Sequence, residues 1–449
     1  MRNEKLECAR SVCTADGLPT IQTSSFIVQP LAERYLSASP TMYEMITEVP
    51  VLNELNPNVA AMQPSATLAM AARAKALIRE GHDVISLSAG EPDFDTPKPV
   101  VDAAIQALEE GFTHYTANPG IIQLRQAIAE KLRRENGLDV EAEDVLTCNG
   151  AKQALAQTIL ALCRPGDEVL CPAPYWVSYP EQARLAGAIP IAVEATAETE
   201  YKMTPAQLEA AITPKTRLLI FNSPSNPTGA VYTRDEIEAL ADVLRRHEHV
   251  FILADEIYEY VLFDAEHTTI GSLQGMGDRT VTVNGFSKGY AMTGWRIGYM
   301  AGPRWIVKAA AKIQSQFTSA PNSITQRAAV TAVEMDKGPI NAMVVAFRER
   351  RDYMMERLRK LPSVLCPKPE GAFYLFPDVS AYYGRTSPDG AEINGSEDLC
   401  FYLLEQHGVA LVPGKAFGSD AGVRLSYASS LDDLAKAADR IEAGLAALV

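Results

Sequence analysis

From about residue 64 to the C-terminus, helical and strand-like hydrophobic patterns alternate along the chain. Helices are predicted at residues 97–110, 121–135, 151–162 and 233–246. Short and nearly uninterrupted apolar runs are found at residues 168–171, 189–193, 217–221, 250–254, 280–283 and 297–301. Such runs are typical of strands in a parallel sheet that is covered on both faces. The alternation therefore predicts an α/β fold built on a mostly parallel sheet.

The pattern changes after about residue 336. A long charged helix that contains residues 348–351 is followed by short strands at 372–376, 409–412 and 423–426 and by a final helix. This order predicts a second, smaller α+β domain. The expected domain plan is an irregular N-terminal extension at 1–52, a small domain formed by 53–95 and 336–449, and a large domain at 96–335.

Composition excludes several classes of protein. The 449 residues include 41 Lys+Arg and 56 Asp+Glu, a formal net charge of −15, which repels nucleic-acid phosphate and anionic lipid. No stretch approaches the ~18 apolar residues of a membrane-spanning helix. The 7 cysteines lack C-x-x-C spacing, so neither a metal site nor a disulfide framework is expected. We expect a reducing compartment, the cytoplasm in preference to a plastid, and neither nucleic-acid nor membrane partners.

A lysine with unusual surroundings follows the apolar run 280–283. No other charge occurs between Lys288 and Arg296. A partly desolvated amine beside another cation has its pKa lowered from about 10.4, which frees its lone pair for a Schiff base. Ser287 and Arg296 could bind a phosphate group. Taken alone, the motif is equally typical of a β-turn with a surface lysine.

Two further loops carry polar side chains directly after predicted strands. Asp255 follows the run 250–254, where it could hold a proton on a pyridine nitrogen, and Tyr258 could reach an oxygen of the same ring. Asn226 lies between Pro224 and Pro227 and is followed by Gly229, and these three residues fix the backbone of the loop. An N-cap aspartate and a structural turn are the respective alternatives.

The start of the helix at 151–162 is a candidate phosphate site. Backbone N–H groups of Gly150, Ala151 and Lys152 can bind phosphate there, and Trp176 could stack on a flat ring. An ordinary helix start and a core tryptophan are the alternatives. Because all of these loops follow strands, we expect them to converge at one edge of the sheet. Together they form the set of groups that binds pyridoxal 5′-phosphate (PLP) as a lysine imine.

Eight motifs connect the chain to a known family, and they occupy residues 88–97, 174–180, 223–229, 255–258, 284–288, 292–299, 371–374 and 423–427. Through them the chain resembles class I aminotransferases of fold type I, in particular the prokaryote-type aspartate aminotransferases and the similar prephenate aminotransferases. The resemblance implies a large PLP-binding domain with a mostly parallel seven-stranded sheet and a smaller α+β domain. It also implies a homodimer with shared active sites.

The resemblance implies roles for individual residues. Lys288 would attach the cofactor, with Asp255 at its ring nitrogen and Tyr258 at its phenolic oxygen; these three are the predicted catalytic residues. Tyr115 would reach the phosphate of the other subunit. The full set of predicted cofactor-binding residues is Tyr115, Gly150, Ala151, Lys152, Trp176, Asn226, Asp255, Tyr258, Ser287, Lys288 and Arg296. Gly285 departs from the pattern, since some relatives carry a serine there.

The resemblance also implies a substrate site. Arg424 would clamp the α-carboxylate, while Lys152 and Thr67 would bind a side-chain carboxylate. The predicted substrate-binding residues are Thr67, Gly90, Lys152, Trp176, Asn226 and Arg424. An ammonium fixes orientation less strictly than a guanidinium fork. The predicted reaction is therefore amino transfer between aspartate and 2-oxoglutarate, with prephenate as an alternative or additional substrate.

Other functions are open on the same scaffold. A β-lyase or an alanine or aromatic transaminase would lack the cation for an acidic side chain. A PLP-binding transcription regulator would carry a basic region before the transaminase-like part, whereas the first fifty residues are acidic. A nicotinamide dehydrogenase would need G-x-G-x-x-G after its first strand, and no such motif is placed there.

Overall fold

The computed structural model describes residues 55–449, so the predicted extension at 1–52 lies outside the described residues. The strands are β1 Ile85–Ser86, β2 Val145–Cys148, β3 Glu168–Ala173, β4 Ile189–Glu194, β5 Thr216–Asn222, β6 Phe251–Asp255, β7 Thr280–Gly285, β8 Gly298–Ala301, β9 Tyr374–Leu375, β10 Val409–Ala410, β11 Val412–Pro413 and β12 Val423–Ser426. Seven of them form one sheet in the order β2-β8-β7-β6-β5-β3-β4. All neighbours are parallel except where β8 pairs with β2 and β7. The predicted α/β fold with a mostly parallel seven-stranded sheet is confirmed.

The helices are α1 Pro57–Ala60, α2 Ala66–Arg79, α3 Lys98–Glu109, α4 Ile122–Asn136, α5 Ala151–Leu162, α6 Ser178–Leu185, α7 Pro205–Ala211, α8 Arg234–Arg246, α9 Arg304–Phe317, α10 Ser323–Glu334, α11 Gly338–Arg359, α12 Ser396–His407 and α13 Leu431–Ala446. Leu124, Ile128 and Leu132 recur every four residues along α4 and are fully buried. The helix ends at Gly137, whose φ of 66° is left-handed and is readily adopted by glycine. Among residues 55–449, no helix is long and apolar enough to cross a membrane.

Both faces of the large sheet are covered by helices. Successive residues of β5 point to opposite faces. Leu218 and Ile220 pack with residues of α5, α6 and α9, whereas Leu219 and Phe221 pack with residues of α7 and α8. This double burial explains why the strands appear in the sequence as continuous apolar runs.

Two small sheets complete the described part of the chain. β1 pairs in parallel with β10, and β12 lies between β11 and β9 with both pairs antiparallel. The register places Ser426 of β12 opposite Tyr374 of β9, so Arg424 lies two residues from that pair. These strands belong to segments predicted for the small domain; the domain boundaries themselves stay a prediction.

Candidate active site

A cavity of about 300 Å³ opens at the carboxyl ends of the parallel strands. Asn222 and Asp255 end β5 and β6 side by side, and Lys288 follows β7 three residues after its end. Twelve of the fourteen predicted site residues line this cavity: Thr67, Gly90, Ala151, Lys152, Trp176, Asn226, Asp255, Tyr258, Ser287, Lys288, Arg296 and Arg424. Crevices outside the carboxyl ends of strands are the usual ligand sites of α/β sheets.

Lys288 points its ammonium into this cavity, where it donates a hydrogen bond to the backbone carbonyl oxygen of Gly90. Desolvation lowers the pKa of Lys288 to about 8, although Glu91 opposes the change. Charge repulsion from Arg424 and Arg296 contributes to this lowering of the pKa, and Asp255 opposes it. The amine therefore has the electrostatic surroundings that the sequence predicts, and the alternative of an exposed surface lysine is wrong.

Asp255 is buried at the end of β6, with an exposed fraction of 4%. Its Oδ2 atom accepts a hydrogen bond of 2.7 Å from the Tyr179 hydroxyl, and its Oδ1 atom accepts one of 3.3 Å from the Ile257 N–H. Burial raises the pKa of the Asp255 carboxyl to about 6, against the lowering effect of these hydrogen bonds. Residues 257–260 form a turn after β6 and no helix begins at Asp255, so the alternative of a helix N-cap is wrong.

Arg424 is a buried cation with unsatisfied hydrogen-bonding capacity. Its Nη1 and Nη2 atoms donate to Asn226 Oδ1 at 3.1 Å and to the Ser88 carbonyl oxygen at 2.7 Å. Its Nε atom has no partner among the described residues, and no carboxylate there forms an ion pair with it. Burial lowers the pKa of Arg424. A buried, unpaired charge is costly, so the site favours binding an anion.

The start of α5 contributes Ala151 and Lys152 to the lining of the cavity. Its N-cap residue Gly150 has a φ of 81° and offers no side-chain cap, so the first turn is open to an anion. A Cβ atom on Gly150 would lie 2.5 Å from Arg296 Nη2, which shows how closely the guanidinium approaches the backbone. Lys152 places its ammonium 4.7 Å from the centre of the Trp176 ring. Burial, followed by repulsion from Arg296, lowers the pKa of Lys152.

Two predicted residues do not line the cavity. Gly150 lies next to Ala151 and close to Arg296, and both of these residues line the cavity. Tyr115 is 100% exposed and does not line the cavity of its own chain. Its predicted contact with the other subunit stays a prediction.

Sequence reasoning assigned no role to two tyrosines that line the cavity. Tyr179 contacts Asp255, and the Tyr374 hydroxyl lies 2.8 Å from the Tyr258 hydroxyl. Both occur in motifs that carried the family resemblance, which is the one signal that could have found them. Their partners are 76 and 116 residues away in the chain, a separation across which spacing predicts no contact.

Comparison with known proteins identifies the class of protein. Residues 82–441 match the family described as "Aminotransferase class I and II", so the chain belongs to that family. It is an aminotransferase. The chain is 50% identical, over 97% of its length and 92% of the relative, to the bifunctional aspartate aminotransferase and glutamate/aspartate-prephenate aminotransferase of Petunia hybrida. It is 49% identical, over 88% of its length and 99% of the relative, to the aspartate/prephenate aminotransferase of Cereibacter sphaeroides.

Solved structures agree with this assignment. The aspartate aminotransferase from Rhizobium meliloti aligns with a TM-score of 0.85 and 43% identity, covering 88% of this chain and 100% of that chain. The aspartate aminotransferase from Thermus thermophilus with maleate aligns with a TM-score of 0.82 and 43% identity, covering 87% and 100%. The predicted family, the subgroup of aspartate and prephenate aminotransferases and fold type I are confirmed.

Proposed function

We propose that this aminotransferase moves the amino group between L-aspartate and 2-oxoglutarate, using PLP bound through Lys288. The observation that carries the proposal is the pair of desolvated cations in one cavity. Lys288 supplies an amine of lowered pKa, and Arg424 is a buried guanidinium without a carboxylate partner among residues 55–449. Transamination of an α-amino acid requires an amine of the protein that the substrate amine can displace, and a cation that binds the substrate carboxylate. Relatives named aspartate aminotransferase support the choice of substrate.

The residues of the cavity fit PLP. The uncapped start of α5, Ser287 and Arg296 are suited to its phosphate, and the buried carboxyl of Asp255 to its ring nitrogen. Trp176 supplies an aromatic face beside them. When bound, PLP supplies an electron sink for the negative charge that develops at the substrate Cα atom.

The protein's own side chains then orient the substrate and move protons. Arg424 and Asn226 hold the α-carboxylate, which fixes the direction of the Cα–H bond. Once the substrate amine has displaced it from the cofactor, Lys288 would remove the proton from Cα as a general base and deliver it to C4′ of the cofactor as a general acid. Its pKa of about 8 suits both tasks near neutral pH. With the cofactor bound, Asp255 would hold a proton at its ring nitrogen, and Tyr258 would donate to its phenolic oxygen.

Prephenate is a second candidate substrate. We propose that Lys152 and Thr67, which line the cavity, bind the side-chain carboxylate. An ammonium imposes less directional constraint than a guanidinium, so a bulkier dicarboxylate is accommodated. The bifunctional relative from Petunia hybrida supports this second activity.

The proposed partners are amino-acid and 2-oxo-acid substrates and a second copy of the chain. In the homodimer, Tyr115 would contact the phosphate group in the partner's site. Its complete exposure in the single chain is consistent with that contact. The cytoplasmic location stays a prediction.

Steady-state kinetics with four amino donors or acceptors test the proposal. We expect high kcat/KM for aspartate, measurable kcat/KM for prephenate with glutamate as donor, and values at least about a hundredfold lower for alanine and phenylalanine. A preference for alanine or phenylalanine over aspartate would contradict the assignment.

A further inference from the structure

Tyr374 contacts two residues of the cavity that have separate roles in the proposed mechanism, Arg424 and Tyr258. Its ring is completely buried on β9, opposite Ser426 of β12. The guanidinium carbon of Arg424 lies 4.7 Å from the centre of this ring. The attraction between a cation and an aromatic face is larger where water is excluded. The ring of Tyr374 therefore packs against the Arg424 guanidinium and stabilises its position.

The hydroxyl of Tyr374 contacts Tyr258. It lies 2.8 Å from the Tyr258 hydroxyl, and among the described residues it is the only hydrogen-bond partner of that hydroxyl. A tyrosine hydroxyl has one proton and two acceptor lone pairs. Tyr258 can therefore donate to a ligand oxygen while it accepts a hydrogen bond from Tyr374.

The surroundings leave little room for this hydroxyl to move. A Cβ atom on Gly90 would lie 3.1 Å from the Tyr374 hydroxyl oxygen. Gly90 is also the residue whose carbonyl oxygen accepts the hydrogen bond from Lys288. The Tyr374 side chain thus contacts Arg424 and Tyr258 and approaches the Gly90 segment, three groups from distant parts of the chain.

We propose that Tyr374 is a positioning residue that holds the Tyr258 hydroxyl and the Arg424 guanidinium in a fixed relation. Its hydroxyl orients Tyr258 toward the phenolic oxygen of the cofactor, and its ring fixes Arg424 for the substrate α-carboxylate. As a result, the cofactor and the substrate α-carboxylate are held in one fixed arrangement. This inference rests on the proposed function, because both ligands belong to it.

Tyr374→Phe removes the hydroxyl and keeps the ring. We expect kcat for aspartate to fall about tenfold, while KM and the Kd of maleate, a non-reactive dicarboxylate, change by less than about twofold. The pH midpoint of the visible absorption band of the resting, cofactor-loaded protein should rise. A weaker Tyr258 donor leaves more negative charge on the phenolic oxygen, which holds the neighbouring imine proton more tightly. An unchanged kcat and an unchanged midpoint would overturn the role of the hydroxyl.

Tyr374→Leu removes both the hydroxyl and the aromatic face. We expect the Kd of maleate to rise about tenfold above that of the Phe variant, because Arg424 loses the nearer of its two aromatic contacts and keeps only Phe417, at 5.1 Å. The same Kd in both variants would overturn the role of the ring. Circular dichroism checks the fold, and if the Leu variant does not fold, Tyr374→Met, which also lacks the aromatic face, is compared with the Phe variant in the same way.

Tyr382→Phe is the matched control. Tyr382 is also buried, and its hydroxyl donates at 2.8 Å to the Pro362 carbonyl oxygen, outside the cavity. We expect its kcat and absorption midpoint to equal those of the wild type. A wild-type protein without a visible band or aspartate turnover would refute the proposed function. A normal wild type with an identical Phe variant would refute only the role of the Tyr374 hydroxyl.

Discussion

Two cations, Lys288 and Arg424, lie in one desolvated cavity, and burial lowers the pKa of each. Two positive charges in such a place are unfavourable until an anion binds. The energetics therefore select a negatively charged ligand before any detail of shape is considered. A carboxylate near Arg424 and an uncharged Lys288 amine together relieve the repulsion.

The pKa of Lys288 predicts how fast cofactor-free protein binds PLP. Because the pKa is about 8 instead of 10.5, about a tenth of the amine is neutral at pH 7, and this fraction rises with pH. We expect the binding rate, followed by stopped-flow absorbance, to increase with pH and to level off above about pH 9. A rate that keeps rising to pH 10 would mean that Lys288 titrates like an exposed lysine.

The geometry of Arg424 predicts the effect of a charge-conserving substitution. Arg424→Lys keeps the charge but loses the planar fork that binds a carboxylate through two hydrogen bonds. We expect kcat/KM for aspartate to fall about a hundredfold, mainly through KM. Arg133→Lys, on the exposed side of α4, should leave both constants unchanged. A normal KM in the Arg424 variant would exclude a bidentate clamp.

At the scale of elements, the proposal that the start of α5 binds the cofactor phosphate can be tested by one substitution. In Gly150→Ala the new Cβ atom would lie 2.5 Å from Arg296 Nη2 and would displace the guanidinium. We expect the Kd of PLP for the cofactor-free protein to rise at least about tenfold, measured by fluorescence titration.

Gly81→Ala separates this clash from the cost of the backbone conformation. Gly81 also has a positive φ, 94°, but a Cβ atom added there would meet no atom of the described residues within 4 Å. We expect a loss of unfolding free energy of about 1 kcal/mol and an unchanged Kd for PLP. Equal Kd values in the two variants would contradict the role of the α5 start.

Elements that depend on local pattern were predictable, and those that depend on distant pairing were not. Helix α5 and strand β12 have their predicted bounds. In contrast, β2 was not predicted, and its place at the edge of the sheet is set by its pairing with β8. The antiparallel direction of β8 is likewise set by tertiary pairing. The predicted strand at 409–412 is two strands, since β10 pairs with β1 and β11 pairs with β12.

At the scale of the whole molecule, the convergence of the site was predictable. Loops that follow parallel strands meet at one edge of a sheet, and the predicted groups line one cavity there. The contacts of Tyr179 and Tyr374 were not predictable, because each joins segments far apart in the chain. Composition and spacing carry no signal for such contacts.

The proposed homodimer makes a prediction for the molecule in solution. We expect a mass of about twice 48.8 kDa by light scattering. Tyr115→Phe should raise the Kd of PLP while the dimer persists, because the lost hydroxyl would act on the partner's site. A monomer with full activity would refute shared active sites.

Trapping of the cofactor is the most direct test of the central claim that Lys288 binds PLP. Purified protein is reduced with borohydride, digested and analysed by mass spectrometry, with Lys288→Ala as the control. We predict a yellow protein whose pyridoxyl label is found on the Lys288 peptide and is absent from the variant. A colourless protein, or a label on another lysine, would contradict the account.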